Sequence, residues 1–236
     1  MVSGGAGAGK TTVIKTVVEH LITIMTRAGD EVITPYVIKT AHTGAAAALI
    51  DGMTLCRAFS LNWSGMFNSL SYQKREKMKA ELRNLKLVVI DEVSLVSNKE
   101  LYQIDMRLQE IMENDKPFGG VLIMSFGDLM QLKPVLAQWI FERFFGKDGN
   151  LQVMNELQSR WNLLKVINLE INHRQDGDKT YADLLNRLRI GEHTDEDMAL
   201  LRERVRPKGH PDLKDVDLHI VCTVARGVQL NREALQ

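Results

Sequence analysis

The sequence predicts an α/β fold in which a parallel sheet carries helices on both faces. Three observations carry that expectation. Strand and helix signals alternate along the 236 residues. Leu87-Val88-Val89-Ile90 is an uninterrupted aliphatic run, as found in strands buried on both sides. A glycine-rich run, Gly4-Gly5-Ala6-Gly7-Ala8-Gly9-Lys10-Thr11, opens directly into an apolar-periodic helix. Elements in this order close into a parallel sheet with right-handed crossovers.

The glycine run fits the phosphate-binding P-loop pattern, and each residue type has a reason. Glycines let the backbone enter left-handed conformations, so successive N–H groups turn toward a polyphosphate. Lys10 reaches the terminal phosphates, the Thr11 hydroxyl is a ligand for Mg²⁺, and Thr12 completes the set Gly4 to Thr12. Ile14, Val18, Leu21 and Met25 follow at helical spacing, so the helix dipole adds to the anion site. A P-loop normally follows a buried strand. Only Met1, Val2 and Ser3 precede this one, so the first strand is expected to be missing and both ends look cut.

The remaining elements read in order. Tyr36 to Thr40 is β-prone, and Ala45 to Ile50 is alanine-rich. Ser97-Asn98-Lys99-Glu100 reads as a capping box, followed by Leu101, Ile104, Leu108 and Ile111 on one helical face. Pro117 and Gly119-Gly120 end that unit, and Val121 to Phe126 makes another buried strand. A boundary is expected near Leu164, dividing the chain into 1–164 and 165–236. Gly146 to Asn150 is loop-like, and Val166 to Ile171 restarts a strand. Then come a helix with Tyr181, Leu184, Leu185 and Leu188 on one face, a helix from Thr194, a strand from Leu218 to Val221 and a final helix to Gln236. There is no internal repeat.

Composition narrows the class without choosing a partner. Hydrophobic content of 44% and charged content of 25% are those of a soluble globular protein. No apolar run approaches membrane-spanning length, and the N-terminus is not a signal peptide, so no membrane role is expected. Cys56 and Cys222 stand far apart, which argues against a disulfide scaffold or zinc site and for a reducing compartment. Thirty basic residues balance thirty acidic ones, so net charge does not favour nucleic acid. Lys74-Arg75, Lys77 and Lys79 form one local cluster, and Arg187, Arg189, Arg202, Arg204 and Arg206 another. Both are interleaved with acids and read as solvated helix faces or as a DNA track.

The chemistry gathers at strand ends, where open α/β sheets bind ligands. Asp91 and Glu92 close the aliphatic run: the first suits a Mg²⁺ shell, the second a base that orients and deprotonates water. Asp91 and Asp128 are both expected near the P-loop. Gln131, in Gly127-Asp128-Leu129-Met130-Gln131-Leu132, reads as a γ-phosphate contact or as the exposed amide of a turn. Arg174, in Asn172-His173-Arg174-Gln175, reads as an arginine finger or as a surface arginine. Phe59, Trp63 and Phe67 are core residues or a stacking platform for bases, and Trp139, Phe141, Phe144 and Phe145 an apolar packing cluster. The six histidines lack metal-ligand spacing.

Taken together, the P-loop, Thr40-Ala41-His42-Thr43-Gly44-Ala45-Ala46-Ala47, Asp91-Glu92-Val93-Ser94 and Gly127 to Val135 resemble the ordered motifs of superfamily-one DNA helicases. Within these the chain is most similar to the PIF-type (petite integration frequency) helicases, including those carried by Helitron transposons. Lys116-Pro117-Phe118-Gly119-Gly120, Asn172 to Gln175 and Asp183 to Gly191 strengthen the likeness. The resemblance implies a RecA-like first lobe and the start of a second, with ATP between them. It implies Mg²⁺-dependent, ATP-driven movement 5′ to 3′ on single-stranded DNA and unwinding at duplex junctions, in repair, recombination or telomere maintenance. Lys10, Thr11, Asp91, Glu92, Gln131 and Arg174 match nucleotide-site positions; Thr43, Gly44 and Thr54 match segments that touch the single strand. Ala45 stands where relatives often carry lysine, and Cys56 where histidine is usual. Leu129, Met130 and Lys133 also depart from the pattern, and the closing motifs are expected beyond Gln236. A nuclear location is favoured, with mitochondrion and bacterial cytoplasm open, and a monomer is favoured. A P-loop kinase of a small acceptor, or an inactive transposon-derived remnant, is the alternative.

Overall fold

The aliphatic run at Leu87–Ile90 becomes the inner part of a six-stranded parallel sheet. This is a computed structural model that describes residues 1–26, 34–62, 67–142, 160–171, 178–206, 220–221 and 223–234. The strands are β1 (Val2–Gly4), β2 (Val37–Ala41), β3 (Met53–Thr54), β4 (Leu87–Asp91), β5 (Leu122–Gly127) and β6 (Ile167–Leu169). They lie side by side as β3-β2-β4-β5-β1-β6, every pair parallel. The helices are α1 (Lys10–Met25), α2 (Gly44–Leu49), α3 (Leu55–Phe59), α4 (Tyr72–Leu82), α5 (Asn98–Met112), α6 (Lys179–Ile190), α7 (Asp195–Arg202) and α8 (Val224–Ala234).

Strand β4 explains why the sheet needs cover on both sides. All five of its residues are buried, and successive side chains point to opposite faces. Leu87 and Val89 join one apolar cluster with Val2, Ile14, Val18, Ile50 and Phe126, roofed by α1. Val88 and Ile90 join the other, with Phe59, Leu101, Ile104 and Leu108 from α3 and α5. Helix α5 starts where its sequence demands: Ser97 Oγ accepts from the Glu100 amide at 3.2 Å, and Glu100 Oε2 accepts from the Ser97 amide at 2.7 Å. Its apolar face, Leu101, Ile104, Leu108 and Ile111, is buried, at about 1.5–3 kcal/mol per side chain.

The Lys116–Gly120 segment is pinned onto α5. A Cβ at Gly119 (φ +62°) would come within 2.5 Å of the Leu108 carbonyl oxygen, so only glycine permits the approach. Buried Asp105 accepts from the Phe118 amide at 2.5 Å and from Arg160 Nε at 2.7 Å, anchoring both segments to the helix.

Two sequence expectations change. The strand thought to be missing ahead of the P-loop is present as β1, three residues long, between β5 and β6 with Val2 buried. It is too short for periodicity to reveal and is specified by its neighbours. The strand signal at 166–171, read as restarting a second sheet after 164, is β6 and pairs in register with β1. Accordingly the chain divides into compact units Met1–Lys179 and Thr180–Gln236.

The basic cluster on α4 is a helix face laced with acids: Lys77 lies 3.8 Å from Glu81, and Lys79 lies 3.3 Å from Glu76 and 2.6 Å from Glu113. In the second unit, Arg187 forks onto Asp197 at 2.7 and 2.6 Å, joining α6 to a capping box formed by Thr194 and Asp197. Phe59 is core, and the Phe67 ring lies under the Arg107 guanidinium at 4.8 Å. Trp139 stacks on Phe141 at 5.6 Å. Trp63, Phe144, Phe145, Cys222, the loop 146–150 and residues 218–219 of the strand expected at 218–221 lie outside the described residues. Among the described residues no helix is long and apolar enough to cross a membrane.

Candidate functional site

Because every strand pair is parallel, Gly4, Ala41, Thr54, Asp91, Gly127 and Leu169 all end at one edge of the sheet. From β1 the chain crosses past β5 and β4 to reach β2, whereas β6 fills the opposite flank of β1. A crevice at such a switch point is the general location of ligand sites in open α/β sheets.

The P-loop turns there through left-handed conformations at Gly7 (φ 82°) and Gly9 (φ 84°). Gly9 caps α1 without any side-chain bond, and the first turn holds no acid, so its amides are left for an anion. Lys10 Nζ donates to the Gly4 and Gly5 carbonyls at 2.8 and 3.0 Å, which folds the amine back over the loop. The loop residues Ala6 to Thr12 share a cavity of about 680 Å³ with Ala46, Leu49, Asp91, Glu92 and Gln131.

Asp91 ends β4 almost fully buried, and the Glu92 amide donates to its Oδ1 at 2.9 Å. Burial pushes the Asp91 carboxyl above the usual aspartate range, partly offset by that bond and by the Lys10 charge. Burial also raises Glu92, reinforced by Asp91 and Asp128 and opposed by Lys10. Glu92 itself sits in the left-handed region (φ 53°), at a cost of order 1–3 kcal/mol. The end of β5 packs closely against this turn: a Cβ at Gly127 would lie 2.9 Å from the Val93 nitrogen.

Asp128, also buried, organises the next loop. Its Oδ1 accepts from the Met130 amide at 3.0 Å, and Gln131 Nε2 reaches its Oδ2 at 3.5 Å. Gln131 therefore faces the cavity from a fixed turn.

A hard divalent cation fits this donor set. Among the described residues no group of three His, Cys, Asp or Glu side chains could cage a metal. Mg²⁺ is commonly held by one or two protein oxygens, with phosphate and water completing the shell. Thr11 and Asp91 line the same cavity and supply a hydroxyl and a carboxylate in need of a counter-charge.

The other sequence-predicted residues fall elsewhere. Thr43 and Thr54 cap helices: their hydroxyls accept from the Ala46 amide at 3.2 Å and the Arg57 amide at 3.4 Å. They share the sheet edge, since Ala41 pairs with Thr54 in register, and Gly44 begins α2. Arg174 lies outside the described residues. Sequence reasoning missed Ala46 and Leu49 as cavity walls and the tether of Lys10 to Gly4 and Gly5. Helical spacing from Thr43 would have suggested the first pair; the tether has no linear signal.

Fold and site define a P-loop, RecA-like lobe. Residues 1–199 match the model of the PIF1-like helicase family, and the chain belongs to that family. It is 28% identical over 223 residues to the ATP-dependent DNA helicase PIF1 of Saccharomyces cerevisiae, covering 92% of this chain and 24% of the relative. It is 32% identical over 203 residues to the helicase RRM3 of the same species, covering 81% of this chain and 25% of that one. Bacteroides Pif1 bound to single-stranded DNA superposes with a TM-score of 0.69 at 28% identity, over 100% of this chain and 52% of that one. Bacteroides Pif1 in complex with ADP-AlF3 and single-stranded DNA gives 0.69 at 27% identity, over 99% and 52%. The chain thus spans about a quarter of these curated relatives and half of these solved structures.

Proposed function

We propose that this chain is the nucleotide-hydrolysing lobe of an ATP-dependent DNA helicase, with Thr180–Gln236 beginning a second lobe. The observation that carries the reading is the single cavity lined by Lys10, Thr11, Asp91, Glu92 and Gln131. These residues come from three separate chain segments and carry the complementary charges that phosphate hydrolysis needs. When bound, Mg²⁺ would supply charge neutralisation at the phosphates, held by Thr11 and Asp91.

In this mechanism the α1 amides and Lys10 bind the triphosphate, and Gln131 positions the terminal phosphate. Glu92 accepts the proton of the attacking water. Its carboxylate meets that task through a raised pKa, which brings its basicity closer to neutral pH. Arg174 would contribute positive charge as the phosphoryl group leaves. Thr43, Gly44 and Thr54 present the β2 and β3 ends to single-stranded DNA, the ligand named for the Bacteroides complexes. Movement 5′ to 3′, unwinding at duplex junctions, work in repair, recombination or telomere maintenance, and action as a monomer in the nucleus complete the reading.

A P-loop kinase would use the same cradle but would not respond to DNA. The experiment is ATP hydrolysis by the chain with and without an unstructured oligothymidylate. Stimulation of at least several-fold supports the helicase reading. Hydrolysis indifferent to the oligonucleotide, together with phosphate transfer to a small acceptor, would replace it.

A further inference from the structure

Beside the nucleotide cavity, along the same sheet edge, lies a second cavity of about 390 Å³. The same three segments wall both. The segment after β2 gives Ala46, in α2, to the first and His42, in the turn, to the second. The stretch after β4 gives Asp91 and Glu92 to the first and Glu100 to the second. The loop after β5 gives Gln131 to the first and Pro134 to the second.

Glu100 occupies a particular place between them. One carboxylate oxygen, Oε2, is used within its own helix, accepting from the Ser97 amide and hydroxyl at 2.7 and 2.8 Å. The other, Oε1, is buried and accepts no aligned hydrogen bond, yet lies 3.3 Å from His42 Nε2. His42 directly precedes Thr43, which caps α2. Glu100 also acts on the neighbouring segment: the Cys56 thiol is pushed up to about 11, by burial and then by the Glu100 charge. Cys56 follows two residues after Thr54, the cap of α3. One carboxylate therefore faces both segments read as touching the single strand, from the first turn of the helix that follows the acidic strand end. A capping box needs only one carboxylate oxygen, so the direction of the second is not explained by helix α5 alone.

We propose that Glu100, with His42, is a positioning pair that couples the state of the nucleotide cavity to the DNA-facing turns of β2–α2 and β3–α3. This inference rests on the helicase reading above. Movement of Glu92 and its following turn on nucleotide binding would shift the start of α5, and the partly buried Glu100–His42 contact would carry that shift to Thr43. Coupling of this kind is a reciprocal free energy between two sites and is measurable without turnover.

The test measures affinity of the 236-residue chain for a fluorescein-labelled oligothymidylate by anisotropy, with and without a non-hydrolysable ATP analogue and magnesium. For the unaltered chain the two affinities should differ by about fivefold or more. Glu100→Gln keeps an acceptor for Ser97 but removes the charge facing His42; His42→Asn removes the imidazole. Both should bring the ratio below about twofold while analogue affinity stays within about twofold, because neither side chain lines the nucleotide cavity. Ser97→Ala removes the hydroxyl that caps α5 and bonds Glu100 Oε2, but keeps the Ser97 amide bond to Oε2 and the Oε1–His42 contact, and should lower thermal stability while leaving the ratio intact. A ratio preserved in both Glu100→Gln and His42→Asn overturns the inference and leaves the helicase reading standing. An unaltered chain that does not bind the oligothymidylate overturns both.

Discussion

Replacing Lys10 with alanine probes the cradle twice over, because the side chain has one role without ligand and another with it. Without ligand, Nζ bridges the Gly4 and Gly5 carbonyls at 2.8 and 3.0 Å. Water replaces part of that loss at a half-buried site, leaving a net cost of about 1–2 kcal/mol. For a chain of this size that lowers the thermal midpoint by roughly 2–8 °C. With ligand, the amine is proposed to face the terminal phosphates. A unit charge pair at about 4 Å and an effective dielectric near 20 is worth about 4 kcal/mol. After subtracting the lost carbonyl bonds, about 2–3 kcal/mol remains, so ATP affinity should fall by roughly 30- to 150-fold. Titration of a fluorescent ATP analogue and a thermal melt on the same sample read the two effects separately. A variant with normal affinity would refute the phosphate role. Normal stability with lost affinity would refute only the role of the carbonyl bridge.

Two further outcomes follow from the acidic pair. Glu92→Gln should bind ATP normally and hydrolyse it about 10²–10⁴ times more slowly, as measured by single-turnover phosphate release; an unchanged rate would remove Glu92 as the base. Asp91→Asn should stabilise the ligand-free chain at pH 7.5 by about 1 kcal/mol, or roughly 2–4 °C in a thermal melt. The sign comes from burial. A raised folded pKa means that the folded chain holds this proton more tightly than the unfolded chain. The penalty is therefore full above the folded pKa and fades as pH falls through it toward the ordinary aspartate value. The advantage of Asp91→Asn over the unaltered chain should shrink on acidification, and an advantage independent of pH would contradict the assignment.

Much of this was legible in the linear chain where local chemistry decides the outcome. A run of four aliphatics fits a strand covered on both faces, and Ser97 with Glu100 spells the start of α5. The P-loop and the acids were legible because each needs its residue types at fixed short spacing. What escaped was decided by distant partners. β1 is three residues long and exists because β5 and β6 flank it. The signal at 166–171 identified a strand but not its sheet, since pairing with β1 spans about 165 residues of sequence. The contact between His42 and Glu100 joins positions 58 apart, through a turn whose direction no periodicity encodes.

The placement of β6 has a consequence for the phosphate cradle. A Cβ on Gly4 would lie 3.1 Å from the Leu169 Cβ and 3.0 Å from that of Ala8. The first bend of the loop is thus moulded against the outermost strand, with little slack for even one methyl group. Sideways drift of that border strand would press on the curl proposed to grip the triphosphate, which would make a remote edge the mechanical backstop of that grip.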